Sequence, residues 1–578
     1  MSIAKVKDVK KIGRPRMVTD ELEAKVVSYL FRTTLENGNM PDDLTGAKHF
    51  DISERSFRSI RLKHGLDRWT IRKLLVNKPE EQSEDDFLSL GYTPFGGAWL
   101  LVPILMSSVI AKGVSVLRMP EGLGVTGWQL VLTILWWSIL GFSRFFHLDD
   151  FRSRSDLGLA LLTGRVKLLA DSTLLRMVHS LPEESIEAFY QETASGTIDG
   201  NDPDSGTKVS LDDHVVPSFT ELEPKPLGKT RVPTRGRSYP AMRLYYYYDM
   251  LKKRFIALQV KLADERLSKV LPDLIAHLKE LRQKAGSCGR KLRLLFDRGG
   301  YKGKLFDLLM KDDNVTFVTP AIRYASNVAQ WEAIPEEKFV DYLPKEMELL
   351  PESQRPILKL ADSTTTVRDC EIPIRSIVLR DDTPDAKQKW WVLFTKDTES
   401  SPEAILEEYP SRQHHESAYR TLKHGHYGDA LPKGYSLERV ANHQGQLRQT
   451  VATSIEKKDL WFVAWLKGLS MNLMQDFGDA LGGEFSKMTS PTLVRKFMKR
   501  PACLKLVGNQ LHVVLDPFKG DIAISEWIRQ INEQQLQIPW LGDLVLQISI
   551  AQEPALLKQD PAKIKERVFA KSAPQKVA

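Results

Sequence analysis

The sequence predicts an α/β protein: a mixed-sheet core with a β-rich insertion, preceded by all-α segments. Three observations lead there. Before Asn201 the apolar residues recur at helical spacing, and from Lys208 strand-like runs begin. Those runs come first as a meander of three and then alternate with helical stretches. Two of the strand-like runs, VSLDD and LRLLFD, end in aspartate.

Size and composition set the frame. The chain has 578 residues, enough for three or four domains, and its 42% hydrophobic and 27% charged residues are ordinary globular material. A net charge of +8 favours a polyanionic partner. Three distant cysteines, Cys288, Cys370 and Cys503, argue for a reducing compartment and against a disulfide framework or a zinc site. Gly122–Ser143 carries no charge and is long enough to span a bilayer. Its Gly, Thr, Gln and Ser residues, and the polar character of the rest, favour a buried helix and no membrane partner.

Residues 1–17 form a basic arm without the apolar stretch of a secretory signal. Its GRPR, with Arg14 and Arg16, resembles the core of an AT-hook; a plain basic tail accounts for it equally. Residues 18–75 read as short helices. Leu22, Val26, Tyr29 and Leu30 share a face of the first, and Ser53 caps a later one, with Phe57 and Ile60 facing inward. Arg55, Arg58, Arg61 and Lys63 crowd its outer side. The pattern resembles a DNA-binding helix-turn-helix, and any small basic helical domain would show it too. Residues 76–92 are acidic and polar, as in a linker, and 93–204 form a helical domain.

The first core part spans 205–324. KVSLD, MRLYYYYDM and RFIALQVKLAD are three strands; LSKVLPDLIAHLKELRQKAG is a long helix; RKLRLLFD and VTFVTPAI are strands around a second helix. In this order the chain resembles a ribonuclease H-like domain. Residues 325–398 interrupt it as an inserted β-rich subdomain, 399–470 complete it, and 471–578 form a C-terminal region for dimerisation or DNA contact.

In such a sheet the first and fourth strands are neighbours, so Asp212 and Asp297 would meet. Carboxylates that close repel unless a cation lies between them, and rigid oxygen ligands suit magnesium. The third carboxylate comes from EEYPSRQHHESAYRTLKHG, Glu407 to Gly425, which looks helical without the usual apolar stripe. At about 100° per residue, Tyr409, Arg412, Glu416 and Lys423 share one narrow face. Exposed, that face would be a solvated stripe with an i,i+4 ion pair; over a cleft, it would carry a carboxylate among phosphate-binding groups.

Tyr409-x2-Arg412-x3-Glu416-x6-Lys423 is similar to the Y-x2-R-x3-E-x6-K motif of a group of insertion-sequence transposases, which are DDE enzymes. LDDHVVPSF and FDRGGY resemble that group's first and second aspartate segments. The likeness covers about residues 205–430. It implies Asp212, Asp297 and Glu416 as catalytic, metal-binding residues, and DNA contacts at Tyr409, Arg412, Lys423 and Arg298. Asp213 is the reserve choice for the first carboxylate. Gln413 and His415 depart from the family's aromatic and apolar preferences, so local packing must differ.

Further DNA contacts are expected from Lys229, Arg231, Arg235 and Arg237 in a basic loop beside the site. Trp390 and Trp391 could stack on a displaced base or belong to a strand core. His414, His415, His424 and His426 read as solvated or phosphate-facing.

The resemblance thus implies a cytoplasmic, nucleoid-associated prokaryotic transposase with two Mg²⁺ per site, for which Mn²⁺ substitutes. It would cut double-stranded DNA at terminal inverted repeats and join the 3′-hydroxyl to target DNA, as a homodimer on paired ends and with no small-molecule substrate. The alternatives are an inactive DNA-binding regulator and a metal-dependent nuclease lacking strand transfer.

Overall fold

The computed structural model describes residues 41–63, 87–120, 124–142, 156–217, 229–232, 236–287, 289–384, 386–431, 457–518 and 521–552, with scattered positions in 22–33, His147 and parts of 439–449. The basic arm, with Arg14 and Arg16, lies outside the described residues, as does Arg235.

A mixed sheet forms the centre. Its main strands are β1 (Lys208–Pro217), β2 (Arg237–Asp249), β3 (Arg254–Leu262), β4 (Leu292–Phe296), β5 (Val315–Pro320), β6 (Leu358–Thr365), β7 (Ile374–Asp381) and β8 (Trp390–Thr395), with the short Lys229–Val232 and Val340–Tyr342 added beside β2 and β6. They lie side by side as β3-β2-β1-β4-β5-β8-β7-β6. β1 is antiparallel to β2 and parallel to β4, and β4 is parallel to β5. Three helices bear on the site: α1 (Leu267–Lys284), α2 (Gln413–Gly425) and α3 (Lys457–Leu481).

The tyrosine run of β2 shows how the sequence builds the layers. Successive side chains on a strand point to opposite faces. Tyr245 and Tyr247 donate their hydroxyls to the Glu265 and Leu274 carbonyls at 2.7 and 3.1 Å, on the α1 side. Tyr246 donates to the Ala464 carbonyl of α3 at 3.3 Å, and Tyr248 stacks on His415 of α2 at 5.1 Å. All four rings are buried, and the hydroxyls of Tyr245, Tyr246 and Tyr247 each meet a backbone carbonyl.

Two segments differ from expectation. The β-rich stretch 325–398 does not stand apart from the core. β8 pairs with β5, Phe394 opposite Thr319, and β7 and β6 follow in the same sheet. The outer edge of β5 presents unpaired backbone groups, and β8 satisfies them. The expected linker also contains a strand. Phe87–Thr93 pairs antiparallel with Ala502–Val507 in a second sheet, completed by Gln510–Leu515, Leu544–Ile550 and Gln537–Ile538. The apolar residues Leu88 and Leu90 alternate along this strand and are buried, which outweighs the polar residues around it. The segment 521–550 thereby packs on the helical part: Trp527 donates to the Leu100 carbonyl at 3.0 Å, and the Trp540 ring lies 5.0 Å from that of Trp128.

The uncharged segment forms the helix Gly127–Ile139, buried from Gln129 to Ile139 and started by a Thr126–Gln129 capping box. Among the described residues no single helix is long and apolar enough to cross a membrane; one bent pair, Gly96–Ser107 with Val109–Val116, passes by length and composition.

Near the N-terminus, helices Asp43–His49 and Glu54–Lys63 close on a small core of Val26, Leu30, Ala47, Phe57 and Ile60.

Candidate active site

β1 and β4 run in parallel register, with Leu211 beside Phe296. The next residues, Asp212 and Asp297, therefore sit side by side. β1 does not end at its aspartate as expected. It continues to Pro217 against β2, while β4 stops at Phe296. The cleft opens because β1 loses one neighbour there. Asp297 turns into a 3-10 turn, and its Oδ1 accepts the Gly299 N–H at 2.8 Å.

α2 contributes the third carboxylate and has a buried stripe after all: His415, Ala418 and Leu422. His415 hides that stripe in the sequence because a histidine fills an apolar place. Its Nδ1 lies 2.9 Å from the Ser210 hydroxyl, and burial pushes its pKa down to about 3, so the ring packs neutral. The Tyr419 ring lies 4.7 Å from that of His214. Ser210, Asp212 and His214 share one face of β1, and α2 lies across it.

The approach to α2 is clamped. Helix Pro402–Glu408 runs through a 3-10 turn, Tyr409–Arg412, into α2 without a break for a new cap at Tyr409. Pro410 is tolerated where a turn begins and its missing N–H is not needed. Glu408 binds Lys208 of β1 at 2.8 Å and also Arg293 of β4, whose Nη1 reaches Asp397 at 2.6 Å.

Arg412 is the hub. Its Nη1 is 3.0 Å from Asp212 Oδ2, and its Nη2 binds Glu416 Oε1. The Tyr409 hydroxyl points to the Phe296 carbonyl at 3.5 Å. Burial pushes the Asp212 carboxyl up to about 6, against the pull of Arg412 and with a further push from Asp297. Burial also raises Asp297, opposed by the Gly299 N–H and Arg412 and reinforced by Asp213 and Glu416. Tyr409 is pushed up to about 12, again mainly by burial. Burial first, and repulsion between the carboxylates second, is what makes Asp212 and Asp297 reluctant to ionise.

Asp213 points to the opposite face, where it is ion-paired with Arg243. Arg243 also donates to the Ala263 carbonyl at 2.7 Å.

The donors around the cleft are carboxylate oxygens, which fit a hard divalent cation. As placed, among the described residues no group of three His, Cys, Asp or Glu side chains could hold a metal ion. Arg412 lies between Asp212 and Glu416 and supplies the positive charge there.

The other expected contacts divide. Arg298 is exposed directly after Asp297. The basic loop is partly a hairpin: Lys229–Val232 pairs with Arg237–Pro240, and Arg231 and Arg237 are exposed. Trp390 is buried beside Phe339, in the strand core, while half-buried Trp391 meets Tyr409 edge-on at 6.4 Å. His415 and His426 are buried, contrary to expectation; His426 Nδ1 lies 2.9 Å from the Ser470 hydroxyl. Residues missed in the sequence are Asp429, Glu408 and Arg293, whose partners are distant along the chain.

Arg61 corrects the reading of the N-terminal helix. It is buried and ion-paired with Asp43 at 2.8 Å, because position 61 lies one turn beyond inward-facing Phe57. Arg58 binds both Asp43 and Glu54 at 2.7 Å, whereas Arg55 is exposed. Arg55→Ala, at an exposed position, is expected to leave the melting temperature unchanged. Arg61→Ala is expected to destabilise the module instead, visible as a lower melting temperature.

No family model matches the chain, and no curated protein matches its sequence. Among solved structures it is similar to a piggyBac transposase synaptic complex with hairpin DNA, with a TM-score of 0.37 and 11% identity over 72% of this chain and 82% of that one. The geometry of the cleft stands apart from that likeness.

Proposed function

We propose that this chain is a DDE transposase of an insertion sequence, cutting DNA at the element's ends and joining the freed 3′-hydroxyl to a target. The observation that carries the reading is Arg412 joining Asp212 of β1 to Glu416 of α2, with Asp297 next to Asp212 at the end of the neighbouring strand and within electrostatic reach of both Arg412 and Glu416. The β3-β2-β1-β4-β5 order, with three antiparallel strands followed by two parallel ones, supports it, since a ribonuclease H-like core would need such a sheet. So does the exposed basic surface at Arg231, Arg237 and Arg298.

Asp212, Asp297 and Glu416 would hold two Mg²⁺, with Mn²⁺ as a substitute. Bound metal supplies the positive charge that favours in-line displacement at phosphorus. The chain's own groups do the rest. Arg412 and Lys423 bind phosphate oxygens and hold the scissile strand in line. Tyr409, packed between Trp391 and the end of β4, supports the Arg412 end of that face. No Ser or Tyr nucleophile is invoked, since water and then the 3′-hydroxyl attack. Duplex DNA is the substrate, two chains pair on two ends, and the site of action is the prokaryotic nucleoid.

The test uses purified protein, Mg²⁺ and labelled DNA from the ends of the element that carries the gene. Cleavage, and joining of a pre-cut 3′-hydroxyl end to a plasmid, are expected. Binding without cleavage would point to a regulator, and cleavage without joining to a nuclease. Glu416→Ala is expected to abolish both steps while sparing binding; retained cleavage would remove Glu416 from the site. Mn²⁺ alone should raise the melting temperature of the wild type, corresponding to about 2.7 kcal/mol at a hundredfold excess over Kd. Glu416→Ala should reduce that rise, and an unchanged rise counts against metal binding here.

A further inference from the structure

We propose that Asp429 is a positioning residue of this cleft, locking the Lys423 ammonium to the strand that carries Asp212. The inference rests on the transposase reading for what Lys423 binds.

Past the end of α2 the chain turns at Tyr427, which adopts a left-handed φ of 50°, and the Gly428 N–H returns to the Leu422 carbonyl at 2.9 Å. This tight reversal brings Asp429 back beside the helix. One carboxylate oxygen accepts from His214 Nε2 at 2.6 Å, and the other binds Lys423 Nζ at 3.1 Å. His214 lies two residues beyond Asp212 on the same face of β1. Its ring is also held by Tyr419, one helical turn from Lys423. A single carboxylate thus ties β1 to α2 at the end of the motif face opposite Arg412.

The lysine needs such a tie. A Lys side chain has four rotatable bonds, and holding it in one position costs it that rotamer freedom. Lys423 is 39% exposed and, among the described residues, its ion pair is with Asp429. An unpaired acid beside a phosphate-binding cleft would repel DNA. Here both oxygens are taken up by His214 and Lys423, so the carboxylate orients a cation and adds little free negative charge.

The experiment is a double-mutant cycle in the full-length protein. Single-turnover end cleavage is measured for the wild type, Asp429→Asn, Lys423→Ala and the double variant. Asp429→Asn is expected to slow cleavage roughly 10- to 100-fold, as misplacement of a binding group does. Adding it to Lys423→Ala should cost nothing more, because both remove one function. A methylphosphonate scan locates the phosphate whose neutralisation slows the wild type but not Lys423→Ala; on that substrate Asp429→Asn should match the wild type. Asp429→Glu, which keeps the charge, should recover part of the rate and serves if the Asn variant misfolds. Additive losses, or an equal loss on the neutral-phosphate substrate, overturn the proposal and leave a structural role. If the wild type cleaves no end, the transposase reading fails instead, and the cycle is read in Kd for duplex DNA: additivity there also overturns the positioning role.

Discussion

Asp212→Asn should reduce end cleavage and strand joining on the order of 10³-fold or more, with DNA binding intact. Asp213→Asn should leave a large part of the activity. The difference follows from one residue of register: Asp212 shares the α2 face with Arg412, whereas Asp213 pairs with Arg243 on the α1 face. Asp213→Asn should instead lower stability by about 1–3 kcal/mol, because Arg243 loses its charged partner. Comparable losses of activity in the two variants would sink the assignment.

The same substitution has a pH signature. Burial places the Asp212 carboxyl at about 6 in the folded chain, above its usual value. A raised acid favours the folded state while it is neutral. Its contribution is therefore complete below about pH 4 and is lost as pH rises through about 6. Asp297 is shifted in the same sense. Without divalent metal, the wild type should lose stability across that window relative to Asp212→Asn, as read in denaturant midpoints at pH 4, 5, 6 and 7. Parallel curves for the two proteins would contradict it.

Arg293→Ala should cost about 3 kcal/mol of stability and slow cleavage as well. Arg293 bridges Glu408 and Asp397, with those two carboxylate side chains 12% and 8% exposed. Breaking a buried pair from one side leaves an uncompensated charge, worth roughly 3–5 kcal/mol when burial is complete. The catalytic consequence comes from position: Glu408 is the last residue of the helix leading into Tyr409–Arg412, and its other ion pair among the described residues is with Lys208. Arg293→Lys should fall between, since an ammonium cannot fork between two carboxylates. A wild-type melting temperature for Arg293→Ala would show that the clamp bears no load.

Much of this architecture could be read from residue order. Strand and helix runs between Lys208 and Pro320 are local patterns, and the spacing of Tyr409, Arg412, Glu416 and Lys423 is a property of a helical face. The misreadings share a cause. His415 looked polar yet packs as a neutral ring on Tyr248, because burial and one hydroxyl decide its state. Arg61 looked like a DNA contact, but Asp43, eighteen positions earlier, takes it into the interior. Phe87–Thr93 looked like part of a linker, and its partner strand lies more than four hundred residues away.

By itself, then, the sequence determined the main strands and helices between Lys208 and Pro320, and which acids and bases lie on each of them. Those are choices made within one turn or one pleat, where periodicity and local sterics dominate. Only the tertiary structure decided which of two adjacent aspartates faces Glu416, that Arg412 joins two carboxylates, and that Asp429 holds His214 and Lys423 together. These depend on sheet register and on the energy of bringing charges from distant parts of the chain out of water, and neither is written in any single stretch.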